Sequence, residues 1–273
     1  MSKNIDDRTR RFRALHEGDD AFVIPNPWDA GSARVLAGLG FEALATTSSG
    51  LAFALGKGDG EVSREEHLVH IGDLVSATDL PVSADLENCY SVDPVEAAET
   101  IQLASDAGAS GGSIEDYSGH PDGRIYDFNH AVERVAAAVE TVRSLPRAFV
   151  LTARAENLIR GVDDLDDTIK RLQAFEEVGA EVLYAPGLKT AEEVRTVCSA
   201  VSRPVNVLAT PKLTIAEIAE AGGKRISLGG ALARTAIAGF LAASREIAEK
   251  GSFTAIGKAP GFPEIVALMS GKK

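Results

Sequence analysis

The chain is short of several things, and each shortage removes a class of protein. No apolar run approaches the roughly 18 residues that a membrane helix requires, so no membrane partner is expected. The stretch Met1 to Arg10 lacks the apolar middle of a signal peptide, and a cytoplasmic setting is the expectation. Cysteine is scarce. Cys89 and Cys198 are the only two, far apart and in no metal-ligand or redox spacing, which fits a reducing compartment. Positive charge is in deficit, with 28 Lys and Arg against 40 Asp and Glu, a formal net charge of −12, and no basic cluster. Nucleic acid is thereby excluded as a partner, because a phosphate backbone needs clustered cations. An anionic substrate would need local positive charge from a metal ion or a particular arginine. The first turn also lacks a glycine-rich phosphate loop, which sets an open nucleotide-binding sheet behind a closed barrel.

What the chain does have is a strict alternation. Eight short apolar runs read as buried strands: 21–25, 43–46, 82–85, 112–115, 149–153, 182–185, 205–208 and 226–228. Between them lie amphipathic helix patterns at 31–39, 63–77, 94–107, 129–144, 164–178, 191–200, 215–221 and 231–250, after an opening charged helix at 8–16. Asp93 before Pro94, and Thr190 with Glu193 three residues on, are helix starts; Gly40, Gly108 and Gly179 are stops. Eight strand-helix alternations in 273 residues predict an α/β fold, a single (β/α)8 TIM barrel domain spanning 1–273. The segment 252–273 is not needed for closure and reads as a C-terminal helical arm, packed on the outside or on a neighbouring subunit.

The chemistry concentrates in Val82-Ser83-Ala84-Asp85-Leu86-Glu87-Asn88. In an extended strand Asp85 and Glu87 point to one face, while Leu86 points into packing. One helix-length later, Gly112-Ser113-Ile114-Glu115-Asp116 repeats the pattern and brings Glu115 to a neighbouring strand end. Three carboxylates in one apolar-walled site repel each other unless protons or a cation intervene, and a hard divalent ion is the usual solution. Arg154 falls at the end of the fifth strand, on the face where barrel enzymes collect their functional groups.

The ordered set Ser49-Gly50-Leu51, Leu55-Gly56-Lys57-Gly58-Asp59, Asp85-Leu86-Glu87, Ile114-Glu115-Asp116 and Thr152-Ala153-Arg154-Ala155-Glu156 resembles the isocitrate lyase and phosphoenolpyruvate mutase superfamily, from about residue 22 to about residue 230. The resemblance implies that Asp85, Glu87 and Glu115 hold Mg²⁺, with Mn²⁺ as the alternative, partly through water. It implies that Ser49, Gly50 and Leu51 present backbone N–H groups to a substrate carboxylate, with Thr47 beside them and Asp59 near the metal. It also implies a homotetramer with the eighth helix exchanged between subunits. Arg154 can grip a carboxylate through two parallel hydrogen bonds, and the same guanidinium can balance Glu115 and Glu156. Glu156, Tyr184 and Asn206 complete the expected pocket lining.

The departures are as informative. Isocitrate and methylisocitrate lyases carry a Lys-Lys-Cys-Gly-His type of loop whose cysteine protonates the departing carbanion. Here the loop reads Glu115-Asp116-Tyr117-Ser118-Gly119-His120, with Ser118, a far poorer acid, in the place of the cysteine. The mutase lysine after Glu-Asp is Tyr117, and Leu183-Tyr184-Ala185-Pro186 lacks the mutase histidine. Ser118 and His120 remain as loop candidates for proton transfer, His120 titrating near neutrality. His16, His67, His70 and His130 lie on helix patterns and read as structural. The resemblance therefore implies a Mg²⁺-dependent lyase or hydrolase that cleaves a C–C bond in a small 2-oxo or 2-hydroxy acid, oxaloacetate-like or malate-like, through an enolate. P–C chemistry on phosphonopyruvate, or a catalytically silent metabolite-binding barrel, is the alternative.

Overall fold

The computed structural model describes residues 2–119 and 125–270. Helix α1 (Ser2–Glu17) leads into eight parallel strands: β1 (Phe22–Ile24), β2 (Leu44–Ala45), β3 (Val82–Asp85), β4 (Gly111–Glu115), β5 (Val150–Arg154), β6 (Val182–Tyr184), β7 (Val205–Leu208) and β8 (Arg225–Ser227). The strands run side by side in the order β1-β8-β7-β6-β5-β4-β3-β2. Just past β1, the Ala45 N–H donates to the Pro25 carbonyl at 3.1 Å and draws the two free edges together. The fold is the expected (β/α)8 barrel. Its short strands read as near-continuous apolar runs because both faces are covered, one by side chains of the barrel interior and one by helices.

The helices follow in turn: α2 (Ala30–Gly38), α3 (Ser48–Ala54), α4 (Arg64–Ala77), α5 (Pro94–Asp106), α6 (Phe128–Ser144), α7 (Leu165–Val178), α8 (Ala191–Ala200), α9 (Ile215–Glu220), α10 (Ala231–Lys250) and α11 (Phe262–Ser270), with a 3₁₀ turn Thr254–Lys258 before the last. Their starts are chemically marked. Asp93 caps α5 and Thr190 closes a capping box with Glu193, as read from sequence, and Ser63 with Glu66 does the same for α4. Gly40, Gly108 and Gly179 take positive φ where the helices end.

Three elements depart from the sequence reading. α1 begins at residue 2 rather than 8, and its Phe12 packs with Phe22, Val150 and Val182 at the beginning of their strands, plugging that end of the barrel. Residues 48–54 form a helix rather than a loop, started by Thr47 Oγ1 accepting the Gly50 N–H. The arm folds back on its own barrel through α11: the Leu268 side chain seats on Gly38 of α2, and Arg34 donates to the Met269 carbonyl. α10, by contrast, has only Ala233 buried, and Phe240 is 70% exposed. No helix among the described residues is long and apolar enough to cross a membrane.

Candidate active site

The strand register determines which side chains meet. Glu115 is the Cα partner of Arg154, Arg154 of Tyr184, and Asp85 of Ser113, so neighbouring strand tips deliver these groups to one ring. They line a cavity of about 760 Å³ at the carboxyl ends of the strands, together with Thr47, Ser49, Asp59, Glu87, Ser118, Glu156, Arg160 and Asn206. That is the barrel face where functional groups gather.

At its centre stands Arg154. Nη1 donates to Asp85 Oδ1 at 2.6 Å, Nη2 lies 3.1 Å from Glu115 Oε2 and 2.8 Å from Glu156 Oε1, and the guanidinium stacks 5.0 Å from the Tyr184 ring centroid. Three carboxylates are balanced by one planar cation, whose fork geometry suits several acids at once. A second arginine, Arg160, reaches in from the loop after β5: Nε to Glu156 Oε2 at 3.2 Å, Nη2 to Glu115 Oε1 at 3.7 Å, with its guanidinium 3.6 Å over the Tyr117 ring. Asp116 turns away from the cavity, accepting the Glu156 N–H and pairing with Arg171, and so braces the tip of β4 against that of β5.

The acids remain overcrowded. Burial first, then the charges of Asp85 and Asp59, push the Glu87 carboxyl from its usual 4.5 up to about 7. Burial and Glu156 hold Glu115 well above the ordinary carboxylate range, and Asp59 is raised by burial and by Asp85. Glu87 Oε1 is buried with no hydrogen-bond partner. Among the described residues no three acid, thiol or imidazole groups stand in a ready-made metal-ligating arrangement. The donor set nevertheless fits a hard divalent ion, being all oxygen, in excess of the local cations, and including one orphaned carboxylate oxygen.

Several sequence expectations change in detail. β3 ends at Asp85, and Glu87 lies beyond it with φ +52°, so the two acids reach the cavity from a strand tip and a turn rather than from one strand face. Gly50 and Leu51 do not line the cavity: the Gly50 N–H is satisfied by Thr47 Oγ1, the Leu51 N–H by the Thr47 carbonyl, and the Leu51 side chain is buried with Ala52 and Val62. Those two amides are consumed by α3 itself. Ser49 does line the cavity, and Ser48, one of three hydroxyl residues beside the Ser49-Gly50-Leu51 stretch, donates through both N–H and Oγ to Asp85 Oδ2. Ser118 lines the cavity and is tied through its carbonyl to Asn88 Nδ2, whereas His120 lies outside the described residues. His67 is buried beside the site, its Nδ1 2.7 Å from the Tyr90 hydroxyl. Arg160 and Arg225 also line the cavity. Arg225 opens β8, one residue before the apolar run 226–228 that marks this strand in the sequence, and Arg160 lies six residues past a strand tip in a loop with no pattern.

Comparison with known proteins agrees with this picture. The sequence model of the phosphoenolpyruvate phosphomutase family matches residues 12–248. The 2-methylisocitrate lyase of Escherichia coli is 28% identical over 225 residues, covering 78% of this chain and 75% of that one. An oxaloacetate decarboxylase of Paraburkholderia xenovorans is 26% identical over 211 residues, 74% of this chain and 69% of that one. A crystal structure from Burkholderia cenocepacia J2315, described as a candidate lyase/mutase, superposes with a TM-score of 0.94 at 51% identity, covering 97% of this chain and 96% of the other.

Proposed function

The chain belongs to the phosphoenolpyruvate mutase and isocitrate lyase superfamily, and from that membership we propose that it is a divalent-metal-dependent carbon–carbon lyase acting on a small 2-oxo or 2-hydroxy carboxylic acid of oxaloacetate-like or malate-like form. The observation that carries the reading is the convergence of Asp85, Glu87 and Glu115 on a cavity that also holds Arg154 and Arg160, with one Glu87 oxygen buried and unpartnered. Metal-dependent members of such a superfamily act on ligands of this size, and the cavity has room for one.

In this mechanism Asp85, Glu87 and Glu115 would hold Mg²⁺ or Mn²⁺, which would supply Lewis acidity to the reaction when bound. Arg154 and Arg160 bind the substrate's carboxylate groups, their planar forks suited to two parallel hydrogen bonds. Ser49 and Thr47, hydrogen-bonded to each other at 3.2 Å, orient the opposite end. Tyr184, whose phenol is pushed up to about 12 by burial, keeps its proton and can donate it as a hydrogen bond to developing negative charge. Glu156 holds Arg154 and Arg160 in register from beneath. In a malate-like 2-hydroxy acid, loss of the hydroxyl proton and cleavage of the C2–C3 bond leave a 2-oxo acid and a carboxylic-acid enolate; in an oxaloacetate-like 2-oxo acid, loss of the far carboxylate as CO2 leaves the enolate of the remaining 2-oxo acid. In either case the enolate then takes a proton at carbon, and loss of one well-placed donor to it costs on the order of 3–4 kcal/mol in the barrier. Ser118 is the described loop residue that could return a proton.

The test is turnover of a panel of 2-oxo and 2-hydroxy dicarboxylic acids by the purified protein. Activity is expected to vanish with EDTA, to return with Mg²⁺ or Mn²⁺, and to be lost in Arg154→Ala; turnover indifferent to chelation would overturn the reading. A second reading, a metabolite-binding barrel, is favoured by the serine in place of the lyase cysteine. Tight oxalate binding without turnover of any panel member would select it. The exposed length of α10 further supports a homotetramer that exchanges this helix, and the two free thiols suit a cytoplasmic setting.

A further inference from the structure

Beneath the acid cluster the barrel interior holds a cation in the opposite predicament. Arg225 is 5% exposed and lines the cavity floor. Its partners are all neutral: Nε donates to Asn206 Oδ1 at 2.8 Å, Nη2 to Thr152 Oγ1 at 3.0 Å, and Nη1 faces His16 Nε2 at 3.4 Å. The His16 contact has a defined polarity. His16 Nδ1 lies 2.8 Å from the Phe12 carbonyl, so that nitrogen carries the proton and Nε2 offers a lone pair to the guanidinium. The ring is neutral, its pKa lowered by burial and by Arg225 to about 3. A charge shut away from water without a counter-ion is a costly arrangement in a folded protein.

Polarity then propagates upward. Because Asn206 Oδ1 is committed to Arg225, its amide nitrogen turns to Ser227 Oγ at 2.9 Å, which in turn donates to the Tyr184 hydroxyl at 3.5 Å. Tyr184 thus accepts a hydrogen bond and keeps its own proton free to donate. We propose that Arg225 makes the barrel floor an anion-binding subsite, holding Asn206 and Tyr184 with donors available to the cavity and supplying a positive charge that no carboxylate among the described residues pairs with. The ligand is an anionic oxygen, and its identification as part of a small carboxylic acid rests on the proposed function above. Arg225 is a positioning residue: it acts through Asn206 and through its field, which is strong where water is excluded.

The experiment neutralises Arg225 from below. His16 does not line the cavity, so His16→Glu places a carboxylate against the guanidinium while leaving every lining side chain intact, and His16→Gln is its uncharged control. Full-length proteins are titrated calorimetrically with formate, a bare carboxylate, and with oxalate in the presence of Mg²⁺. Wild type is expected to bind both, His16→Glu to lose about tenfold or more in affinity with an unchanged or raised Tm, and His16→Gln to stay within about threefold. Arg225→Met, which removes the charge, against Arg225→Lys, which keeps it, gives the same comparison should His16→Glu not fold. Affinity within twofold of wild type in the folded His16→Glu or Arg225→Met protein would overturn the proposal. So would a wild type that binds neither anion. Formate binding that depends on Arg225, with no 2-oxo acid turned over, would sustain the subsite and sink the lyase reading; turnover with affinities indifferent to His16→Glu would do the reverse.

Discussion

Glu87 carries a carboxylate that the fold prefers to keep protonated. Its pKa rises from 4.5 to about 7 on folding, so its contribution to stability is fully present below about 4.5 and is lost as pH climbs through 7. At pH 8 the ionised group costs up to about 3 kcal/mol relative to a neutral isostere. Glu87→Gln is accordingly expected to raise unfolding stability in urea at pH 8 and to change it little at pH 4.5. Saturating wild type with Mg²⁺ should narrow the gap at pH 8, because a bound cation stabilises the ionised form. Arg160 makes a different case. It is a third exposed, touches Glu156, Glu115 and Tyr117, and sits at the cavity edge where a second substrate carboxylate would lie. Arg160→Gln should raise KM for dicarboxylic substrates by about tenfold, the worth of one charge-assisted hydrogen bond, with kcat nearly unchanged. A purely bracing role would lower Tm and leave KM alone.

At the level of elements, legibility followed periodicity. The strand at Val82–Asp85 and the helix at Ala191–Ala200 could be read to the residue, the first as a buried run of small and apolar residues ending in an acid, the second by its capping box. α3 was hidden because seven residues make scarcely two turns, too few for a 3.6-residue period to stand out, and its small residues resemble a glycine turn. The cavity acids were legible as types at or just past strand tips. The arginines that balance them were not all so, because Arg160 acts across space from a loop without pattern. α3 also shows why Gly50 is glycine: a Cβ there would stand 2.6 Å from Thr47 Cγ2 and 3.0 Å from Trp28 Cβ. Gly50→Ala must therefore push the start of α3, and with it Ser48 and Ser49, off Asp85 and the cavity. A loss of turnover well beyond any fall in Tm is expected, measured by kcat/KM alongside thermal unfolding; wild-type kcat/KM in this variant would show that α3 does not position the site.

For the whole molecule the unsolved surface is α10. Ile237, Phe240 and Leu241 share one face at i, i+3 and i+4 spacing, all exposed, and Phe253, Ile256 and Phe262 extend the apolar surface into the arm. Isolated exposed apolar residues are ordinary, but a contiguous stripe of this length marks an interface. The α10 N-terminus meanwhile belongs to the cavity, since Gly230, Ala231 and Arg234 line it. Exchange of α10 between copies would thus couple assembly to the site. Light scattering should give a mass near 114 kDa, four times the 28.6 kDa chain. Phe240→Asp, which buries an unpaired charge in any such contact, should shift the mass downward and lower Tm, and turnover should fall with it because the helix that carries Arg234 loses its support. A wild-type protein that runs as a monomer at micromolar concentration would leave the stripe without the occupant argued for it.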